Sequence, residues 1–101
     1  MYQWTRPTDF FLATSWDDPM TRLTALAHPV RGTILRTLLD APATAAQLAE
    51  NNVVTSTGTA YHHLNALMAA GWISKKPTGE FSIRISRIVP LLTILACCED
   101  H

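Results

Sequence analysis

Apolar and polar positions along this chain follow two different periods, and the change from one to the other comes near residue 71. Before it, apolar residues recur at helical spacing in four stretches, at residues 20–27, 30–39, 46–49 and 60–68. After it, polar and apolar residues alternate over residues 72–76 and 81–85, which predicts two strands joined by a Pro-Thr-Gly-Glu turn. A final apolar stretch predicts a helix over residues 86–100. The pattern therefore predicts a mainly α protein with one small β-hairpin.

Local signals indicate where these helices begin and end. Asp18 has the properties of an N-cap, with Pro19 as the first helical residue. Proline at position 29 breaks the first helix, because it disfavours helical backbone at His28. Thr44 and Gln47 have the spacing of a capping box, and Gly71 is a natural helix terminator. We therefore expect separate short helices with defined ends.

The helix predicted within residues 55–72 has two contrasting faces. Ala60, Leu64, Leu67 and Met68 form an apolar stripe, and the opposite face is polar without formal charge. That face contains Thr57, Gly58, Tyr61, His62 and Asn65. Such side chains are suited to reading DNA base edges, but an ordinary amphipathic surface helix has the same pattern. The remainder of the chain has to decide between these interpretations.

Composition adds two constraints. The chain has 101 residues, enough for one domain, and only 16% of them are charged, which suggests that some surface is buried against a second copy. Its eight basic and eight acidic residues give a formal net charge of zero, so any basic surface must arise from local distribution. No apolar run is long enough to span a membrane, and the N-terminus lacks the features of a signal peptide, so we expect a cytoplasmic protein without a membrane partner.

The order of elements is that of a winged helix-turn-helix domain, here at residues 19–101, preceded by an N-terminal arm at residues 1–18. In this fold the second helix of the pair enters a major groove and the hairpin reaches phosphates. The prediction is a homodimeric, sequence-specific regulator that binds double-stranded DNA. Its predicted DNA contacts are Ser56, Thr57, Thr59, Tyr61, His62, Asn65, Arg31, Lys75, Lys76 and Arg84, with Arg36 as a further basic residue on the supporting helix. The alternative is a winged-helix protein-interaction or dimerisation module with weak or no DNA binding, because the recognition stretch contains no Arg or Lys and the net charge is zero.

Four motifs in the sequence resemble the ArsR-type bacterial repressors. They are Leu-Ala-His-Pro-Val-Arg at residues 26–31, Ala-Gln-Leu-Ala-Glu at 46–50, His-His-Leu-Asn-Ala-Leu at 62–67 and Ala-Gly-Trp-Ile at 70–73. The resemblance implies a homodimeric repressor that leaves its operator when an effector, either a small molecule or a metal, binds. Metal-sensing members have a cysteine motif on the short helix, but residues 48–54 contain no thiol. Thiol sensing at that position is therefore excluded.

The two ends of the chain are expected to form the dimer. The helix over residues 86–100 is too apolar for the surface of a monomer, and the arm is rich in aromatic residues that either pack on their own domain or cross to the partner. The predicted dimer contacts are Phe10, Phe11, Trp16, Ile88, Leu91, Leu92 and Leu95. Cys97, Cys98 and His101 are candidate metal ligands, but adjacent cysteines rarely reach one ion, so no metal site is predicted. The chain has no recognisable catalytic set, so we predict neither an enzyme nor a cofactor.

Overall fold

The computed structural model describes residues 7–100 and contains six helices and a two-stranded antiparallel sheet within them. The elements are α1 (Thr8–Ala13), α2 (Asp17–Leu26), α3 (Pro29–Asp40), α4 (Ala45–Glu50), α5 (Thr57–Ala69), β1 (Ile73–Lys75), β2 (Phe81–Ile83) and α6 (Ile85–Cys97). This is the winged helix-turn-helix arrangement, with α4 and α5 as the helix pair and β1–β2 as the wing, and it confirms the predicted fold class.

The core lies where α3, α4 and α5 meet the wing. Ile34, Leu64, Leu67 and Phe81 are completely buried there, so the apolar stripe predicted for α5 is its buried face. Strand β2 is also tied to the segment before α4. Phe81 N–H donates to the Ala43 carbonyl at 2.7 Å, and Ala43 N–H donates back to Phe81 at 3.1 Å. This bridge fixes the wing against the helix-turn-helix core.

The ends of α4 and α5 follow the predicted signals. The Thr44 hydroxyl accepts from the Gln47 N–H at 3.1 Å while the Gln47 side chain accepts from the Thr44 N–H at 2.8 Å, which is the predicted capping box. Helix α5 ends at Ala69, and Gly71 follows the C-cap residue Ala70 with a left-handed φ of 81°. Trp72 N–H then bonds back to the Leu67 carbonyl at 3.0 Å, completing a Schellman motif.

The predicted boundaries of α2, of both strands and of α6, which ends at Cys97 instead of residue 100, were wrong. Helix α2 begins at Asp17 rather than at Pro19, because the Trp16 carbonyl already accepts the first helical hydrogen bond, from Met20 N–H. Both strands are shorter than predicted. Trp72 is used to terminate α5, and Ile85 begins α6 instead of extending β2.

Helices α1 and α6 expose much of their apolar surface in the single chain. Helix α1 has no buried residue, and in α6 Leu91 alone is fully buried. Ile85 is 88% exposed, and Val89, Leu92 and Leu95 are also exposed. Within residues 7–100, no helix is sufficiently long and apolar to cross a membrane.

Candidate nucleic-acid interface

The outer face of α5 presents hydrogen-bonding side chains without formal charge. Thr57, Tyr61 and Asn65 are four residues apart and all exposed, and His62 is exposed beside them. Four-residue spacing brings side chains onto one helix face, so these groups form a continuous strip. We call Thr57, Tyr61, His62 and Asn65 the polar strip.

The hydroxyl groups of Ser56 and Thr59 organise the start of this helix. The Ser56 oxygen accepts from the Thr59 N–H at 3.1 Å, and the Ser56 hydroxyl donates to the Thr59 hydroxyl at 2.9 Å. Ser56 is therefore the N-cap of α5. Both residues were predicted as DNA contacts, and in the structure each already has a hydrogen-bonding role within the chain.

Lys75 joins the wing to the polar strip. Its Nζ atom lies 5.7 Å from the centre of the Tyr61 ring and 5.5 Å from that of Phe81. Both distances are within the range of a cation–π interaction, which restrains the flexible lysine side chain. Lys76 is exposed in the adjoining turn, where its N–H donates to the Glu80 carbonyl at 2.8 Å. The wing therefore brings Lys75 directly beside the polar strip.

Arg31 differs from Lys75 in that its guanidinium is used inside the chain. Its Nε donates to Nδ1 of His63 at 3.1 Å, and its Nη1 donates to the Ala25 carbonyl at 3.3 Å. His63 is only 6% exposed, whereas His62 is exposed, as expected for consecutive helical residues. Arg31 therefore connects α3 to the buried side of α5, opposite the polar strip.

The environment of His63 disfavours a positive charge. Burial lowers the pKa of its imidazole, and the nearby charges of His28, Arg31 and His62 lower the pKa further. The Arg31 hydrogen bond requires a lone pair on Nδ1, so the neutral imidazole is the form that fits this contact. His28 is not a spare ligand either, because its Nδ1 accepts the Val30 N–H and caps α3.

The other two arginines considered as basic contacts lie away from the polar strip. Arg36 lines an apolar cavity between α2, α3 and α6. Arg84 follows β2 at the base of the wing, where its guanidinium approaches Gly71 at the end of α5. The structure does not bring either residue together with Lys75.

Arg84 belongs to a group of three arginines that the sequence pattern did not reveal. Trp72 connects them: its indole N–H donates to the Arg22 carbonyl at 2.9 Å, its carbonyl accepts from Arg84 N–H at 3.0 Å, and its ring lies 5.3 Å from Arg87 Cζ. Arg22 and Arg87 have no distinctive spacing in the sequence. Only the fold around Trp72 brings them to one side of the domain.

The residues predicted for dimerisation do not all share one surface. Phe10, Phe11, Trp16, Leu92 and Leu95 are exposed. Leu91, at 4% exposure, lies in the core of its own chain, and Ile88 is partly buried against that core. Five of the seven predicted residues are therefore exposed at the surface of the single chain.

Of the candidate metal ligands at the C-terminus, Cys97 and Cys98 are both exposed. Helix α6 ends at Cys97, and Cys98 is its C-cap. His101 lies outside the described residues. Within residues 7–100, no group of three or more His, Cys, Asp or Glu side chains is arranged to hold a metal ion.

Comparison with known proteins agrees with this architecture. A family model described as a helix-turn-helix domain matches residues 26–72, which contain α3, α4 and α5. No curated protein sequence matches the chain. The crystal structure of Rv0081 from M. tuberculosis is similar, with a TM-score of 0.68 and 22% sequence identity over 91% of this chain and 89% of that one.

A second similar structure is the solution NMR structure of a fragment of Mb0332 from Mycobacterium bovis. Its TM-score is 0.65, at 22% identity, and the match covers 100% of this chain and 96% of that chain. The fragment is described as a homodimeric winged helix-turn-helix DNA-binding domain from a possible ArsR-family transcriptional regulator. Both structures have the fold of this chain.

Proposed function

We propose that this chain, which carries a winged helix-turn-helix domain of the ArsR type, is a transcription regulator that binds specific double-stranded DNA sequences as a homodimer and acts as a repressor. In this proposal α5 enters the major groove, with the wing beside it on the phosphate backbone. The likeness to the homodimeric DNA-binding domain of Mb0332 supports both the DNA partner and the dimer.

The observation on which the proposal rests is the exposed polar strip of α5 with Lys75 held beside it. An asparagine such as Asn65 can bond an adenine through two hydrogen bonds, and hydroxyl groups can serve several bases. A positive charge at the edge of such a strip is placed to meet a phosphate while the strip meets bases. The strip itself has no formal charge, so the proposal assigns base selection to α5 and backbone affinity to the wing.

The apolar surface of α6 supports the proposed dimer. Ile85, Val89 and Leu92 are exposed at helical spacing, which leaves an apolar stripe unpaired in the single chain. Burying this stripe against the same stripe of a second copy would create a two-fold symmetric dimer. Such a dimer presents two α5 helices, and we expect its DNA site to be an inverted repeat.

Selection of bound DNA from a random pool by the purified full chain tests the proposal. We expect an enriched inverted repeat, and Asn65→Ala should reduce discrimination at one base position by about 1–3 kcal/mol. Asn51→Ala removes the same amide outside α5 and should leave the base preference unchanged. Failure to enrich any sequence at low salt would refute DNA recognition and favour a winged helix that binds protein.

A further inference from the structure

A cavity of about 540 Å³ opens between α2, α3 and α6, on a side of α3 that does not face α5. Its walls are almost entirely apolar, with Leu23 and Leu26 from α2, Leu35 and Leu39 from α3, and Leu91 and Ile94 from α6. A cavity of this volume and lining is typical of a small-molecule site. It also explains why the apolar stripe predicted for α2 is incompletely buried, since Leu23 and Leu26 face this space.

Gly32 enlarges the cavity without serving any packing need of the chain itself. A Cβ atom added at Gly32 would meet no other heavy atom within 4 Å. A glycine within a helix destabilises it by comparison with alanine, and here no close approach requires one. The space beside α3 is therefore available to a molecule other than this chain.

Dimerisation through α6 would leave most of this cavity open, because α6 has two largely separate apolar faces. The exposed stripe of the proposed dimer comprises Ile85, Val89 and Leu92, whereas the cavity is lined by Leu91, Ile94, Leu95 and Cys98, of which Leu95 is itself exposed. At 100° per residue, the centres of these two faces are roughly 140° apart around the helix. A second copy bound to the first face would therefore meet the cavity only at its Leu95 edge.

Arg36 is the one charged residue that lines the cavity, and because the lining is almost entirely apolar, its hydrocarbon part forms the wall. The residue is exposed and makes no hydrogen bond or salt bridge to any of residues 7–100, so its guanidinium is available at the edge of the cavity. A guanidinium matches a carboxylate in charge and geometry, with two parallel N–H donors for two oxygens. Arg36 is therefore a suitable partner for an acid group on an otherwise apolar molecule.

We propose that this cavity binds an apolar small molecule that ends in a carboxylate, with its hydrocarbon part between α2, α3 and α6 and its carboxylate paired with Arg36. Binding would join two helices that lead to functional surfaces, since α3 contacts α5 through Arg31 and His63 and α6 carries the proposed dimer stripe. A role of this ligand as an effector rests on the proposed function, whereas binding of the ligand to the cavity does not depend on it.

The headgroup is tested by titration calorimetry of the full chain without DNA, using dodecanoate below its micellar concentration and dodecyltrimethylammonium as a probe with the same tail and the opposite charge. We expect dodecanoate to bind at least about tenfold more tightly than the cation, and Arg36→Gln to weaken dodecanoate by at least about tenfold. Arg36→Lys keeps the charge but not the two parallel donors, so it should recover part of the affinity that Arg36→Gln loses. Equal affinity for the two probes, or no binding of dodecanoate, overturns the proposal.

The cavity is tested by filling it. Gly32→Leu should abolish dodecanoate binding, whereas Thr33→Leu adds the same side chain at the next, exposed position and should bind as the original chain does. Sedimentation of both variants identifies the competing occupant: loss of the dimer only in Gly32→Leu means that a second copy fills the cavity, which overturns the proposal. Unchanged binding by a folded Gly32→Leu does the same. If Gly32→Leu does not fold, the dodecanoate affinities of Arg36→Gln and Arg36→Lys still test the proposal.

Dodecanoate is then added to the chain bound to its selected DNA. A chain that binds dodecanoate through Arg36 but binds no DNA contradicts the proposed function and leaves the binding site established. A chain that binds DNA but not dodecanoate contradicts the proposed ligand site and leaves the proposed function supported. The two proposals therefore fail separately.

Discussion

Replacing the wing lysines by glutamine gives the most quantitative test of how this domain is proposed to bind DNA. Lys75 lies beside Tyr61 of the polar strip and Lys76 is in the adjoining turn, so each is placed to neutralise one phosphate per protomer. The logarithm of affinity falls with the logarithm of salt by about 0.9 per neutralised phosphate. A single substitution removes two contacts from a dimer, so we expect the slope to decrease by about 1.8.

Fluorescence anisotropy with the selected DNA duplex measures this slope directly. Between about 50 mM and about 200 mM salt, the original chain should lose about 12-fold more affinity than either single variant. Arg36→Gln is the matched control, since it removes one positive charge per protomer at the apolar cavity instead of the wing. Its slope should equal that of the original chain.

Stability distinguishes the two lysines. Lys75 makes cation–π contacts with Tyr61 and Phe81, which are worth about 0.5–1 kcal/mol at an exposed site, so Lys75→Gln should lower the free energy of unfolding by that amount. Lys76→Gln should not. Equal slopes for the original chain and both wing variants would refute the assignment of backbone affinity to the wing. Equal losses in the wing variants and in Arg36→Gln would instead indicate a nonspecific effect of net charge.

Three further predictions concern the scaffold behind the polar strip. Because burial lowers the pKa of His63, the unfolded chain takes up that proton first as the pH falls below about 6.5, so stability should decrease on acidification. His63→Gln should flatten this pH profile, measured by urea unfolding, and an unchanged profile would contradict the role of His63. Ser56→Ala removes the N-cap of α5 and should cost about 1 kcal/mol in the same assay, and no loss would contradict the capping role. Gly71→Ala should cost more than about 1 kcal/mol because φ is 81° there, whereas Gly32→Ala, which has free space, should be neutral or stabilising in thermal denaturation.

The sequence was sufficient to predict the fold because its strongest signals are local. A capping box needs only Thr44 and Gln47 at the right spacing, and a left-handed helix end needs only Gly71. The apolar stripe of α5 likewise depends on helical periodicity alone, and its opposite face therefore had to be exposed. The wing was predicted from the alternating residues on either side of a Pro-Thr-Gly-Glu turn and from its place after the helix pair.

The positions of the charged residues could not be predicted in the same way. Arg31 and Arg36 are five residues apart on α3, so their side chains point about 140° apart, and only the packing of neighbouring helices decides what each meets. Arg31 meets His63 and Arg36 meets an apolar cavity. The grouping of Arg22 with Arg87 depends on contacts with Trp72, which lies 50 residues from Arg22 in the chain. Helix periodicity contains no information on such distant contacts.

The arrangement also explains how a chain with no net charge can act on DNA in the proposed way. Among the described acidic residues, Asp9, Asp17, Asp18, Glu99 and Asp100 lie near the two ends of the chain, away in sequence from α5 and the wing. The residues from Thr57 to Ala69 include no acidic side chain that would repel phosphates, and no basic one. Affinity must then come from a small number of wing contacts, so a single protomer would bind weakly. A dimer doubles both these phosphate contacts and the number of bases that are read, so dissociation of the dimer would release the DNA. A ligand that changes the dimer contacts of α6 would therefore regulate DNA binding through dissociation.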